Sequence, residues 1–258
     1  MKHIKKKFLI QGTKEELKPI LDKCTLIDVT NGIASNKTKQ KKGSLAYIST
    51  ETGFVYGGFL YNLKGKNLIF PIPDPTLIYF HNAQITLKTI DENLNNLINK
   101  SDLNGTLKEP GMNDLFSFYG FSSIFIIMLF TSIEAFLNSQ IPNDYVYKNK
   151  QSSKTELYDW LQIQKHIDFS TKIKKILPEI TGKSYFTKST INNELILNLK
   201  EFRDDIIHTK NDSSPLIYHK LIDKAIKFKY DKTIEAVAHF INYYKPNYIE
   251  VCNCGKNF

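Results

Sequence analysis

The chain has little cysteine, and this scarcity excludes a small fold held together by disulfides. Three cysteines in 258 residues, Cys24, Cys252 and Cys254, cannot build the multi-bridge framework of a secreted domain. The apolar run after the basic N-terminal residues stops at Gln11, far short of the core of a secretory signal peptide. Both features predict a protein of the reducing cytoplasm.

The sequence also lacks the motifs of several large enzyme classes. It contains no His-Glu-x-x-His motif, no nucleophile elbow and no paired-carboxylate motif. No Gly-Lys-Ser/Thr follows Gly53, Gly57 and Gly58, so these glycines do not form a phosphate loop. Zinc peptidases, serine hydrolases and P-loop nucleotide hydrolases are therefore disfavoured.

One short motif bears on metal binding. Cys252-x-Cys254 resembles half of a zinc knuckle, but no second cysteine pair follows to complete it. His219 and His239 are the nearby candidate partners. Because a lone pair of cysteines is a weak signal, we predict neither a bound metal nor a cofactor.

Composition and charge favour a folded protein with a polyanionic partner. The sequence is 41% hydrophobic and 12% aromatic, which is typical of a chain with a proper core. It has 35 Lys and Arg against 26 Asp and Glu, a net charge of +9, which suits nucleic acid. The basic segment 36–43 is either a solvated loop or, less commonly, a phosphate-contacting one.

The first hundred residues predict a small β-rich domain. Aromatic and β-branched runs are punctuated by glycines and by the proline-rich segment 71–75, a pattern typical of short strands. We predict an antiparallel sheet or partial barrel, whose main strands lie at 45–48, 54–56, 59–61, 68–70, 77–80 and 85–87. Its Tyr and Phe side chains either stack on bases or, more commonly, form the sheet core and cross-strand pairs.

A domain boundary is predicted after this region. A polar helix at 91–100 leads into segment 101–113, which contains glycine and proline and has the character of a linker. We therefore divide the chain into a β-rich domain at 1–100 and an all-α domain at 114–258. The predicted fold class is α+β.

The helical domain begins with a long apolar segment. Leu115 to Ile133 contains no charged residue over about 19 positions, the length of a membrane span. Its Ser, Thr and Gly residues lower its hydrophobicity, and the charged Glu134 directly follows it. A helix that is apolar all round also suits the centre of a bundle or a dimer interface. We favour the buried helix over the membrane helix.

Further helices are predicted along the rest of the chain. They lie at 153–167, 170–177, 190–208, 216–228 and 231–244, and the tail 248–252 is predicted as a strand. Ser189 or Thr190 is the predicted N-cap of the helix at 190–208.

The helix at 190–208 carries the candidate functional residues. At about 100° per residue, His208 lies roughly 150° from the centre of the apolar stripe and so faces away from the core. Asp204 lies four residues before His208 and can hold one ring nitrogen, which favours the charged imidazole. Arg203 lies on the flank. The apolar stripe consists of Leu195, Leu199, Phe202 and Ile206.

The same segment carries a family resemblance. Arg-Asp-Asp-Ile-Ile-His at 203–208 resembles the Arg-x4-His signature of the HEPN superfamily (higher eukaryotes and prokaryotes nucleotide-binding domains), of which many members are metal-independent RNases. The apolar segment 123–138, with Glu134 embedded, resembles the first long helix of that bundle. The resemblance covers roughly residues 114–244.

This resemblance implies an endoribonuclease with a composite active site at a homodimer interface. Arg203 and His208 would be catalytic, with Asp204 orienting His208. Glu134 and Asn138 would be supporting or interface residues, and Lys210 would contact RNA. The implied partners are RNA, a second copy of the chain and an antitoxin or regulatory protein, and the implied role is that of a toxin or phage-defence effector.

Two other interpretations of the same residues stay open. In one, the fold is HEPN-like but the protein is a non-catalytic module that binds nucleotide or RNA or regulates an enzyme. In the other, His208 is simply well placed at a helix C-terminus, and Arg203 forms a surface ion pair with Asp204 or Glu201.

Overall fold

The computed structural model has an N-terminal sheet and a C-terminal helical region, so the predicted α+β class is confirmed. It describes residues 2–21, 25–30, 44–100, 109–150, 152–208 and 216–255. The predicted basic loop 36–43, Lys210 and positions 101–108 of the predicted linker lie outside these ranges.

Packing divides the chain at a different place from the predicted boundary. The sheet unit is Lys6–Leu77, and the helical unit combines Met1–Lys5 with Ile78–Phe258. The division falls after Leu77, not within 101–113. The helical unit therefore includes both the first residues of the chain and everything that follows the sheet unit.

In the part of the chain that the structure describes, the sheet unit has a five-stranded sheet and one helix. β4 pairs with β1, β3 and β5 in antiparallel fashion, whereas β2 and β3 are parallel. The prediction of an all-antiparallel sheet is therefore wrong for this pair, whose connection at 29–43 is long enough for a parallel crossover. The elements are β1 (Gln11–Thr13), α1 (Lys14–Leu21), β2 (Thr25–Asp28), β3 (Ser44–Ser49), β4 (Phe54–Leu63) and β5 (Lys66–Pro71).

The hairpin of β4 and β5 presents aromatic side chains to solvent. Phe59, Tyr61 and Phe70 are exposed, and the rings of Tyr61 and Phe70 meet edge to face at 6.1 Å. The core of this unit lies elsewhere, around Ile10, Leu17, Leu45 and Val55. The outward aromatics are thus cross-strand pairs rather than core residues, and they remain accessible for stacking.

Two predicted strands are instead the start of a long helix. Residues 77–80 and 85–87 belong to α2 (Pro75–Asn99). Pro75 suits a first helical turn, and the Thr76 N–H donates to the Asp74 carboxylate at 2.9 Å. Aromatic and β-branched content favoured strands, but the spacing of the buried residues is helical. These are Thr76, Leu77, Phe80, Ala83, Gln84, Thr86, Leu87 and Ile90.

The apolar segment forms the longest helix, α3 (Glu109–Ser139). Positions 109–113 of the predicted linker are its first turn. Within the described ranges, Gly111–Ser139 is the one helix whose length and composition would allow it to cross a membrane. Phe118, Phe125 and Phe136 on it are completely buried. This burial supports the predicted bundle-core helix.

A hairpin and a run of short helices follow α3. The predicted helix at 153–167 is wrong in its first half, because residues 155–158 pair with residues 147–150 as strands. Tyr147 and Tyr158 pack with Ile163 in a small core that this pairing creates. The elements are β6 (Tyr147–Lys150), β7 (Thr155–Tyr158), α4 (Trp160–His166), α5 (Phe169–Thr171), a π-helical turn (Lys172–Ile176) and α6 (Leu177–Thr181).

Three further helices follow within the described residues of the helical unit. They are α7 (Ile191–Ile207), α8 (Leu216–Lys227) and α9 (Tyr230–Tyr244), and all three pack against α3. Each agrees with a predicted helix to within one or two residues. The predicted strand at 248–252 is reduced to a single bridge between Ile4 and Val251.

Candidate active site

Helix α7 begins and ends close to where the sequence predicts. Thr190 is the N-cap, and its Oγ accepts a hydrogen bond from the Asn193 N–H at 3.2 Å. At the other end, the His208 N–H donates to the Asp204 carbonyl at 2.9 Å. Leu195, Leu199 and Phe202 of the predicted stripe are buried, and Ile206 is partly buried. His208 is exposed, as predicted.

Arg203 lies on the flank of α7 and contacts α3. Its guanidinium carbon is 5.2 Å from the centre of the Phe130 ring, within the range of a cation–π interaction. Nη1 donates to the Asp204 Oδ1 at 3.1 Å, and the side chain is 27% exposed. Arg203 is also the only arginine of the sequence. The one guanidinium of the protein is thus held in a defined, half-buried position.

The Asp204 carboxylate does not make the predicted contact with His208. Its oxygens accept from Lys200 at 2.7 Å and from Arg203 at 3.1 Å. Within the described chain, no hydrogen bond joins this carboxylate to the His208 ring. His208 has φ −105° and ψ 37°, so it departs from the helical path that would bring the two side chains together. Asp204 therefore orients Arg203.

Electrostatics agree with this pairing of Asp204. Partial desolvation raises the pKa of the carboxyl group, but the hydrogen bonds from Lys200 and Arg203 outweigh it. The net effect holds the pKa of Asp204 below its ordinary value of 3.8. The carboxylate is therefore charged at neutral pH and balances two cations.

Glu134 and Asn138, the two predicted supporting residues, lie on one face of α3 with Phe130. Steps of four residues place the three side chains in a row. Asn138 Oδ1 accepts a hydrogen bond from the Nζ of Lys172 at 3.2 Å, and the Gln164 carbonyl accepts a second at 3.0 Å. Both supporting residues therefore lie beside a lysine that the sequence analysis did not single out.

Lys172 is an unusual lysine because it is only 7% exposed. Burial lowers its pKa, while the nearby charges of Glu134 and Asp168 oppose that shift. We call Lys172, Glu134, Asn138 and Asp168 the Lys172 cluster. Lys172 opens the π-helical turn, and such turns often occur at functional sites. No residue spacing predicts a π-helical turn, so this cluster could not be predicted from the sequence.

An aromatic pair connects the Lys172 cluster with Arg203. Phe130, which carries Arg203 over its ring, packs on Phe169 with ring centres 5.1 Å apart. Phe169 lies between Asp168 and Lys172 in sequence. Arg203 thus contacts α3 at Phe130, and Lys172 contacts the same helix at Asn138, eight residues further along.

No family model, curated protein or solved structure matches the chain. The candidate site therefore depends on its own geometry and on the Arg-x4-His pattern.

Asp205 and Glu201 have a role that the sequence left undefined. Both accept from Lys224 of α8, Asp205 at 2.6 Å and Glu201 at 2.7 Å. The Lys224 Nζ also lies 5.6 Å from the centre of the Phe202 ring. These contacts join α7 to α8, so Glu201 is not the partner of Arg203. The two acidic residues stabilise the helix that carries the site.

Proposed function

We propose that the protein is a metal-independent endoribonuclease of HEPN type. The observation that carries the proposal is the placement of Arg203, the only arginine of the chain, five residues before an exposed histidine. Six of the 258 residues are histidine, so the chance that a given position holds a histidine is about one in forty. A coincidental Arg-x4-His spacing is therefore uncommon in this sequence.

The chemistry would be attack of the RNA 2′-hydroxyl on the adjacent phosphorus. A base removes the 2′-hydroxyl proton, the new P–O bond forms, and the bond to the 5′-oxygen breaks as an acid protonates it. The products are a 2′,3′-cyclic phosphate and a 5′-hydroxyl. Histidine can take both proton-transfer roles near neutral pH, and the arginine fork can stabilise the charge on the phosphorane.

A homodimer supplies the groups that one chain lacks. One Arg203 and one His208 cannot act as base, acid and charge stabiliser at the same time. Two copies related by a two-fold axis would provide two of each. The net charge of +9 favours RNA as the partner. By the same resemblance, the biological role would be that of a toxin or phage-defence effector held in check by a regulatory protein.

The second candidate is a non-catalytic HEPN-like module that binds RNA or nucleotide or regulates another protein. One specific observation favours it. The Asp204 carboxylate pairs with Lys200 and Arg203. Within the described residues it makes no hydrogen bond that would orient the His208 ring. In this case Arg203 and His208 would contribute to binding without cleaving.

Cleavage of a labelled total-RNA pool in excess EDTA distinguishes the two candidates. The wild type is compared with Arg203→Ala, His208→Ala and the control Lys174→Ala, which changes an exposed lysine of the π-helical turn. Circular dichroism checks the fold of each chelated protein. We expect EDTA-resistant cleavage that leaves 2′,3′-cyclic phosphate ends, lost in the Arg203 and His208 variants and kept in the control.

Two results would contradict the proposed ribonuclease activity. Absence of cleavage by the folded wild type, with RNA binding weakened in the Arg203 and His208 variants, would identify the binding module. Cleavage that persists in both variants would exclude these residues as the catalytic set.

A further inference from the structure

The first residues of the chain pair with its C-terminal tail. The Cys252 N–H donates to the His3 carbonyl at 2.6 Å, and the Lys5 N–H donates to the Glu250 carbonyl at 2.7 Å. His3 therefore lies opposite Cys252, just as Lys5 lies opposite Glu250, with which it forms an ion pair. Ile4, between them, is 1% exposed and anchors the segment in the helical unit.

This pairing brings three metal-binding side chains together. One turn beyond Cys252 the chain reaches Cys254, whose Sγ is 3.3 Å from the His3 Nδ1. Gly255 has a φ of 73°, a left-handed conformation that favours glycine. One donor atom from each of His3, Cys252 and Cys254 lies within 4.8 Å of the other two. Neither of these two cysteines forms a disulfide in the described structure.

We propose that His3, Cys252 and Cys254 bind a zinc ion. Thiolates at about 2.3 Å and an imidazole at about 2.0 Å from a tetrahedral zinc ion lie about 3.5–3.8 Å from one another. The Cys254 Sγ–His3 Nδ1 distance of 3.3 Å is close to this spacing, and the other two donor pairs lie within 4.8 Å. Two thiolates with imidazole select zinc over magnesium or calcium, which require oxygen ligands.

We assign the fourth position to His81 of α2, which lies next to His3 but outside the group of three donors that lie within 4.8 Å of one another. Its ring centre is 5.7 Å from that of His3, and the two rings are inclined by 70°. Two imidazoles bound to one tetrahedral zinc ion have ring centres about 5 Å apart, given a Zn–N distance of about 2.0 Å. Gln84, one turn after His81, donates to the Lys2 carbonyl at 3.1 Å and keeps the N-terminal segment along α2. The site thus joins three segments of the helical unit.

The members of this site are far apart in the chain, so their spacing in the sequence does not predict it. His219 and His239 were the candidate partners closest in sequence to the cysteines. In the structure, the His239 Nδ1 is 2.8 Å from the Tyr185 hydroxyl, and His3 lies beside the cysteines instead. None of the four ligands lies on α7, which carries Arg203. The proposed zinc ion would therefore have a structural role, and this proposal does not rest on the proposed ribonuclease activity.

Metal analysis of the full-length protein tests the proposal. Protein purified without chelator or histidine tag should contain about one zinc ion per chain. Cobalt substitution should give the intense visible bands of a tetrahedral ion and a thiolate-to-cobalt charge-transfer band. Cys252→Ser and Cys254→Ser should lose the ion and the charge-transfer band, whereas the matched control Cys24→Ser should keep both. Added zinc should raise the melting temperature of the wild type and the control alone.

The variants of the two histidines complete the test. His3→Ala and His81→Ala should each weaken zinc retention by at least about 10–100-fold in a chelator competition. A wild type without stoichiometric zinc and without a cobalt–thiolate band would overturn the site, as would a Cys252–Cys254 disulfide found by mass spectrometry. An unchanged affinity in His81→Ala would overturn the assignment of the fourth ligand.

Discussion

The guanidinium carbon of Arg203 lies 5.2 Å from the centre of the Phe130 ring, across the interface of α7 and α3. The contact fixes the position of the charge by means of an aromatic face and leaves donors of the guanidinium for other acceptors. The Asp204 Oδ1 accepts a hydrogen bond from Nη1 of this group at 3.1 Å. A phosphate could therefore be bound by the remaining N–H groups without a change in the position of Arg203.

Arg203→Lys should separate charge from geometry at this position. Lysine keeps the positive charge but cannot present a planar fork to phosphate or stack in the same way. We expect RNA cleavage to fall by about 10²–10³-fold, the cost of losing one well-placed transition-state donor. The rate is measured on a single labelled substrate under saturating conditions, with the melting temperature as a check on folding. Near-normal cleavage would show that a charge alone is sufficient.

Asn138→Leu should destabilise the helical unit through Lys172. The change removes one of the two acceptors of a buried ammonium group, and a lost partner of a buried polar group costs about 1–3 kcal/mol. Adding Lys172→Met should recover most of this loss, because the buried charge is then replaced by an apolar side chain. Denaturant unfolding of the single and double variants measures the coupling.

The control for this cycle is Lys174→Met, since Lys174 is an exposed lysine on the same turn. It should change the unfolding free energy by no more than about 0.5 kcal/mol. Equal losses for Asn138→Leu with and without Lys172→Met would contradict the proposed coupling.

Asp204→Asn should give a stability difference that depends on pH. The pKa of Asp204 is depressed in the folded state, so the unfolded carboxyl group binds more protons on acidification. The stabilisation is present above the ordinary pKa of 3.8 and is lost as the pH falls through the lower folded value. Urea unfolding is measured from neutral to acidic pH. The difference in unfolding free energy between the wild type and Asp204→Asn should become smaller in that range.

Two partners of the Asp204 carboxylate allow an internal check. Lys200→Gln removes the contact of Lys200 Nζ with Asp204 Oδ2 at 2.7 Å. It should reduce, without abolishing, the pH-dependent difference in unfolding free energy between residue 204 as Asp and as Asn. High salt should reduce it further, because the side chains are partly exposed. A difference that stays constant across the whole acidic range would show that the ion pairs do not stabilise the fold.

Two glycines should respond in opposite ways to alanine. A Cβ on Gly58 would lie 2.1 Å from the Phe70 carbonyl oxygen, and the backbone of β5 would have to move, so we expect a loss of about 1–3 kcal/mol or more. A Cβ on Gly120 in α3 meets nothing within 4 Å, and alanine should stabilise this helix by about 0.5–1 kcal/mol. Hydrogen exchange resolves the two effects by segment.

The helices of the second half could be predicted from sequence where apolar spacing and caps agreed. Thr190 and the stripe through Phe202 specify α7 almost to the residue. The start of α2 could not be predicted in this way. Its aromatic and β-branched residues have strand propensity, whereas their burial follows a helical period. Propensity and period conflict there, and packing against the rest of the helical unit decides the outcome.

The site was predictable only in its local part. Arg203 and His208 are visible because they are close in sequence on one helix. Lys172 and His3 are not, since each reaches its partners through contacts that join distant segments. A buried lysine and a histidine from the opposite end of the chain become recognisable only after folding.

The division of the chain has a consequence for engineering. Residues 1–5 belong to the helical unit, so the sheet unit at 6–77 is an insertion whose two ends both return to the same host. We expect that such an insert can be replaced by another domain, provided that Ile4 stays buried and the first turn of α2 is kept. A chimera carrying a foreign domain between Lys5 and Pro75 would retain the helical host and reveal what the native insert contributes.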